Sequence, residues 1–152
     1  SLFAAATKVG SILSNRENKV KDALEFYGKN LGLTFQIADD TLDYNSELKF
    51  FGKELGNDFY EGKVTLPIIL LYQKLGTDEK KELKEFFKKK ERSLEEFNKV
   101  LLMIKKYNVI FECHKKAEHF INLASNSLSI FDDSKEKEIF QGLTSFSVER
   151  TF

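Results

Sequence analysis

Phe35 to Pro67 read FQIADDTLDYNSELKFFGKELGNDFYEGKVTLP. The first ten of these residues carry a helical pattern. Each residue of an α-helix advances about 100°, so Asp39 and Asp43 fall nearly above one another, with Asp40 beside them. Phe35 and Gln36 lie one turn earlier on the same stripe, so one helix face presents an aromatic ring, an amide and three carboxylates in order. Beyond Tyr44 the pattern becomes irregular, with Gly52, Gly56 and Gly62 spaced through residues 45–63, until Thr65 and Pro67 mark a new helix start. No stretch alternates apolar and polar residues long enough to suggest a sheet.

Worked outward from this stretch, helical periodicity divides the chain into about seven segments. The first covers Leu2–Leu13, where Ala4, Ala5, Ala6 and Gly10 keep side chains small enough for a neighbouring helix to approach. The second covers Asn18–Tyr44, and Gly28 and Gly32 within it mark close packing or a bend. A third starts near Thr65 and ends at Gly76. Thr77 or Asp78 caps a fourth over Asp78–Glu91. Ser93 and Glu96 form a capping box that opens a fifth. A sixth covers Val109–Leu128, and Asp132 or Asp133 starts the last. With one proline and eight glycines in 152 residues, the expected fold is all-α, a single domain over residues 1–152. The first segment is helical from its outset without a preceding cap, which suggests that further residues precede Ser1.

Lysine plus arginine and aspartate plus glutamate number 24 each, giving zero net charge, which argues against a general nucleic-acid binder. The single Cys113 has no internal disulfide partner and reads as an inert buried thiol of a reducing compartment. With no apolar run of membrane-spanning length, the expected location is cytoplasmic. His114 and His119 stand about 140° apart on a helix and do not suit a shared metal. Lys88–Lys90 read as solvated helix charge, with peripheral contact to an anionic membrane as the alternative.

The aspartate stripe is costly on its own. Aspartate is a poor helix former by roughly 0.5 kcal/mol, and like charges at i,i+4 repel by roughly 0.2–0.5 kcal/mol, so the cluster costs on the order of 2 kcal/mol. A bound divalent cation offsets this, and oxygen-only ligands select a hard ion such as Mg²⁺, which completes its shell with waters and phosphate oxygens. Lys53 follows Gly52 and Lys63 follows Gly62, each on backbone flexible enough to turn an ammonium toward the carboxylates. They are candidates for holding a diphosphate that also coordinates the metal. The bland alternatives are a solvated acidic face and exposed loop charges, but the flanking LGLTFQIA and LDY are largely apolar.

FQIADDTLDY followed by GKELGNDFYEGKVTLP resembles the second aspartate-rich motif and downstream signature of the trans-isoprenyl diphosphate synthases, or polyprenyl synthetases, most similarly the medium- and long-chain type such as octaprenyl diphosphate synthases. The resemblance runs from SLFAAATKVG to VERTF, strongest from Phe35 to Pro67 and weaker after Leu75. It implies an isoprenoid-synthase-type helical bundle around a central cavity. It also implies that Asp39, Asp40 and Asp43 bind Mg²⁺ bridging to an allylic diphosphate, with Asp39 as direct ligand. By the same resemblance Lys53 contacts that diphosphate, Lys63 is a further contact, Gln36 faces the developing allylic cation, and Phe35 lines the pocket for isopentenyl diphosphate. Arg150 reaches the diphosphate if the tail closes over the site as in some relatives; a frayed terminus is the alternative.

The implied reaction is ionisation of the allylic diphosphate, attack by the double bond of isopentenyl diphosphate, and proton loss, helped by electrostatic stabilisation of the departing diphosphate. The 15 phenylalanines are compatible with an apolar wall that shields the cation. The sequence departs from the family in lacking a first DDxxD motif with its neighbouring arginines and a Lys-Thr pair. It therefore resembles the carboxyl-terminal half of such an enzyme, expected not to turn over alone, to need the missing amino-terminal half, and to form a homodimer at full length. The rival readings are a non-catalytic regulatory or structural subunit of a prenyl synthase and, disfavoured by GKELGND and EGKVTLP, a class I terpene cyclase.

Overall fold

The computed structural model describes residues 1–45 and 55–149. Among these the protein is all-α: α1 (Leu2–Leu13), α2 (Asn18–Leu42), α3 (Asn57–Glu61), α4 (Leu66–Lys74), α5 (Thr77–Lys88), α6 (Leu94–Lys106), α7 (Val109–Ser127) and α8 (Lys135–Glu149), with a 3₁₀ turn at Leu128–Ile130. The chain divides into two compact units. One comprises Ser1–Ala38 and the chain from His114 onward, and the other Asp39–Cys113.

In the first unit, α1 lies against α2 where Gly28 has no side chain. A Cβ there would stand 2.2 Å from Thr7 Oγ1 and 2.5 Å from the Phe3 carbonyl oxygen. The close approach lets the Thr7 hydroxyl donate to the Leu24 carbonyl at 2.6 Å and Lys8 pair with Glu25 at 2.5 Å. Of the two α2 glycines, Gly28 thus marks the tightest packing. Gly10, by contrast, has nothing within 4 Å of where its Cβ would be, so its smallness serves no contact.

The unit's core joins Tyr27, Leu31, Ala124 and Leu128, with Phe3, Leu24, Phe131 and Phe140 packed around them. Tyr27 donates its hydroxyl to the Phe140 carbonyl at 2.7 Å, and burial pushes its phenol up to about 12. Two caps differ from the sequence expectation. Ser1 Oγ accepts from the Ala4 amide, so α1 does have a cap, and Ser134, rather than Asp132 or Asp133, accepts from the Lys137 amide at the start of α8.

The second unit is organised by aromatic rings. Phe59, on the five-residue α3, is fully buried, with ring centroids 5.5 Å from Phe87 and Phe97 and 5.7 Å from Tyr60. Such pairs add about 0.5–1.5 kcal/mol each beyond burial. The irregular pattern after Tyr44 thus conceals a helix too short to show a period. Its bounds are glycines in the left-handed region, Gly56 at φ 86° and Gly62 at φ 77°, which other residues adopt at a cost.

α4 has Thr65 as its N-cap residue and Pro67 in its first turn, in keeping with the sequence signal near Thr65, and buries Ile68, Leu70 and Leu71. α5 is capped by Gly76 rather than Thr77 or Asp78. Glu79 reaches back to accept from the Gly76 amide at 3.2 Å. The Ser93–Glu96 capping box forms in full, with bonds of 3.2 and 2.9 Å. Glu79 also accepts from Lys106 and Tyr107, at 2.8 and 2.6 Å, which ties the start of α5 to the end of α6. Cys113 is buried and forms no disulfide.

Candidate functional site

α2 ends at Leu42, two residues short of the sequence expectation, and Asp43 and Tyr44 form a turn. The reason lies in what Asp43 does. Its carbonyl accepts from the Gly56 amide at 3.0 Å, and its Oδ2 accepts from the Asp58 amide at 2.7 Å. A carboxylate that holds the first turn of α3 leaves the α2 stripe. The three aspartates are therefore not alike: Asp39 is exposed, whereas Asp40 is 9% and Asp43 4% exposed.

Lys63 lies in the same unit. Its ammonium pairs with Asp58 Oδ1 at 3.2 Å and Glu61 Oε2 at 2.6 Å. Those hydrogen bonds, Glu61's first, raise the ammonium above the ordinary lysine value. Its backbone is not loose, as the preceding glycine suggested. The Lys63 amide donates to the Asp58 carbonyl at 2.8 Å, and Gly62 is held at positive φ with Arg92 against it. A continuous strap thus runs from the Asp43 carboxylate through Asp58 to the Lys63 ammonium.

Phe35 and Gln36 belong to the first unit. Phe35 is 37% exposed and rests on Phe3 of α1 at 5.5 Å between ring centroids, and Gln36 is exposed. Lys53 and Arg150 lie outside the described residues.

The donor set of Asp39, Asp40 and Asp43 is oxygen only and suits a hard divalent cation. Among the described residues no three His, Cys, Asp or Glu side chains gather at one point, and one or two carboxylates are what Mg²⁺ ordinarily takes from a protein. The site also contains residues whose part is not legible in the sequence. Asp58 links the carboxylates to Lys63. Tyr44 is buried beside Asp43, where burial first, and the fields of Asp43, Asp58 and Asp40 with it, push its phenol above the usual tyrosine value. The sequence signal for Tyr44 was only its place next to Asp43, and Thr65 read simply as a helix start.

An all-α chain whose acidic helix end is strapped to a following lysine matches a known class. The chain belongs to the polyprenyl synthetase family, whose profile matches residues 1–104. It is 29% identical over 150 residues to the short chain isoprenyl diphosphate synthase of Methanothermobacter thermautotrophicus, an alignment covering 99% of this chain and 46% of that protein. Among solved structures it is similar to the polyprenyl synthase of Caulobacter crescentus complexed with calcium and isoprenyl diphosphate, at 32% identity and a TM-score of 0.89, covering 99% of this chain and 46% of that one. It is also similar to a decaprenyl diphosphate synthase from Rhodobacter capsulatus, at 29% identity and a TM-score of 0.91 over the same shares. The chain spans about half the length of the relatives it matches. No helix among the described residues is long and apolar enough to cross a membrane.

Proposed function

We propose that this chain supplies one side of the diphosphate site of a trans-prenyltransferase that condenses isopentenyl diphosphate with an allylic diphosphate to make a polyprenyl diphosphate. The observation that carries the reading is the strap: Asp43 and Asp58 fix Lys63 in the unit that also presents Asp39 and Asp40. Carboxylates for a cation and an ammonium for phosphate oxygens are thereby held in one compact unit, as diphosphate recognition requires. Mg²⁺, when bound, supplies charge that stabilises the departing diphosphate. Asp39, which is exposed, is the direct ligand of the cation in this proposal, and the buried Asp40 and Asp43 complete the carboxylate set. Lys63 exchanges its carboxylate partners for the diphosphate. Lys53 and Arg150 are further diphosphate contacts in this reading, Gln36 faces the allylic cation, and Phe35 lines the pocket for isopentenyl diphosphate.

The contacts to isopentenyl diphosphate other than Phe35, and a first aspartate motif, belong in this proposal to a part of the protein outside these 152 residues. Exposed apolar residues on α1 support this. Leu2 and Leu13 are 83% and 82% exposed, and Val9 and Ile12 about half, as befits a face that further protein covers. A homodimer, a cytoplasmic location and at most peripheral membrane contact complete the proposal.

The decisive measurement is Mg²⁺-dependent binding of a diphosphate analogue by the wild-type protein and by Asp39→Ala. The variant should bind about tenfold or more weakly, and equal binding would remove Asp39 from the site. A turnover assay with isopentenyl and farnesyl diphosphates adds a second check, because robust elongation by this chain alone refutes the divided site.

A further inference from the structure

Two buried side-chain hydroxyls at the site, Tyr44 Oη and Thr65 Oγ1, have no hydrogen bond of good geometry to any group. Tyr44 directly follows Asp43 and is 1% exposed. Thr65 comes two residues after Lys63 and is the N-cap of α4, yet its hydroxyl makes no capping bond. A threonine at that position ordinarily turns its oxygen onto an amide of the first helical turn. Here it instead lies close enough to the Tyr44 phenol for the two side chains to interact, which opposes the upward shift that burial gives the phenol. One buried hydroxyl without a partner is costly; two within reach of each other complete each other's hydrogen bonding after a small rotation or with one water between them. Their places in the chain matter as much as their burial. The Asp43–Asp58–Lys63 strap has Tyr44 beside its first residue and Thr65 just beyond its last.

We infer that Tyr44 and Thr65 form a hydroxyl latch, closed directly or through one buried water, which holds the turn bearing Asp43 against the segment bearing Lys63. They are positioning residues, since both oxygens are shut off from any ligand and act only through the carboxylate and the ammonium next to them. The inference rests on the diphosphate reading of Asp39, Asp43 and Lys63. The latch is a second tie between the two charged groups, independent of Asp58, and it sets the spacing at which a cation-bound diphosphate is gripped.

The test is a double-mutant cycle of Tyr44→Phe and Thr65→Val, with Thr65→Ser as the conservative variant. Binding is titrated with inorganic pyrophosphate in Mg²⁺ buffer, and urea unfolding is followed in parallel. Tyr44→Phe keeps the ring that packs 6.2 Å from Phe97, so the fold is retained. Each single substitution should weaken pyrophosphate binding about five- to tenfold. The double variant should bind no more weakly than either single one, because removing one hydroxyl already opens the latch, and Thr65→Ser should bind as wild type does. Wild-type affinity in both single variants overturns the latch. So do losses that multiply in the double variant, or a lowered urea midpoint with unchanged affinity in the folded protein. Failure of the wild-type protein itself to bind pyrophosphate overturns the diphosphate reading, and the latch with it.

Discussion

The first unit is built from long helices, two of which meet at a glycine, over a core that mixes Tyr27 and several phenylalanines with leucine and alanine; the second is built from a short helix held in a ring of aromatic side chains. At Gly28 a hydrogen atom stands where any larger group would strike the backbone of α1. At Phe59 a large ring fills the space among Phe87, Phe97 and Tyr60. The difference teaches where each unit tolerates change. Position 28 is sensitive to added volume and position 59 to lost volume, and Asp39, Asp40, Asp43 and Lys63 sit on the unit that holds Phe59.

The strongest way to break this contrast is Phe59→Ala. Removing a fully buried ring should cost about 3–5 kcal/mol, read from the shift in urea midpoint at constant slope, and a cost below about 1 kcal/mol would show that the ring cluster does not organise the unit. Gly28→Val should come next. Its added methyls meet Thr7 Oγ1 and the Phe3 carbonyl, overpacking that costs about 1–3 kcal/mol, and a neutral result would mean that α1 is free to move away.

Gly10→Ala sharpens the comparison from the other side. The same type of position on the partner helix has open space at its Cβ and should gain about 0.4–1 kcal/mol, so a loss there would reveal a contact at α1. The smallest effect concerns pH. Hydrogen bonds from Lys106, then Tyr107, then the Gly76 amide lower Glu79 from 4.5 to about 2. A carboxylate depressed in the folded state stabilises fully above its unfolded value and loses that contribution as pH falls through the folded one. The stability difference between wild type and Glu79→Gln should therefore be constant above about pH 5 and shrink between 4.5 and about 2. A difference independent of pH across that window would remove the Glu79 brace from the account.

What could be read ahead of the structure follows the same division. Ser93 and Glu96 announced their capping box because both halves of the signal lie within one turn. Thr65 and Pro67 announced α4 for a similar reason. α3 could not be read this way, since its five residues are shorter than any window in which a period shows, and what fixes it comes from Phe87, Arg92 and Phe97, distant in sequence. The aspartates were legible as a cation-binding pattern by type and spacing. That Asp43 would leave the helix to hold the Asp58 amide was not, because the pull on it comes from an amide fifteen residues later. Gly76 takes the cap position in place of Thr77 and Asp78, and its own amide is satisfied by Glu79 from three residues on.

Arg92 carries a consequence for how this part of the chain can vary over time. Its Nη1 donates to the Tyr60 carbonyl at 3.1 Å and its Nη2 to the Phe87 carbonyl at 3.0 Å, while its guanidinium carbon lies 5.4 Å from the Phe87 ring centroid. It comes from the connection between α5 and α6, a stretch whose surface position would ordinarily let it gain or lose residues freely. Here one inserted residue would carry the planar fork away from both carbonyls, and lysine, a point charge, would not span them. Position 62 must also stay side-chain-free for the fork to fit. The length of that connection, the arginine and the glycine therefore depend on one another, and altering one would require the end of α3 to be rebuilt.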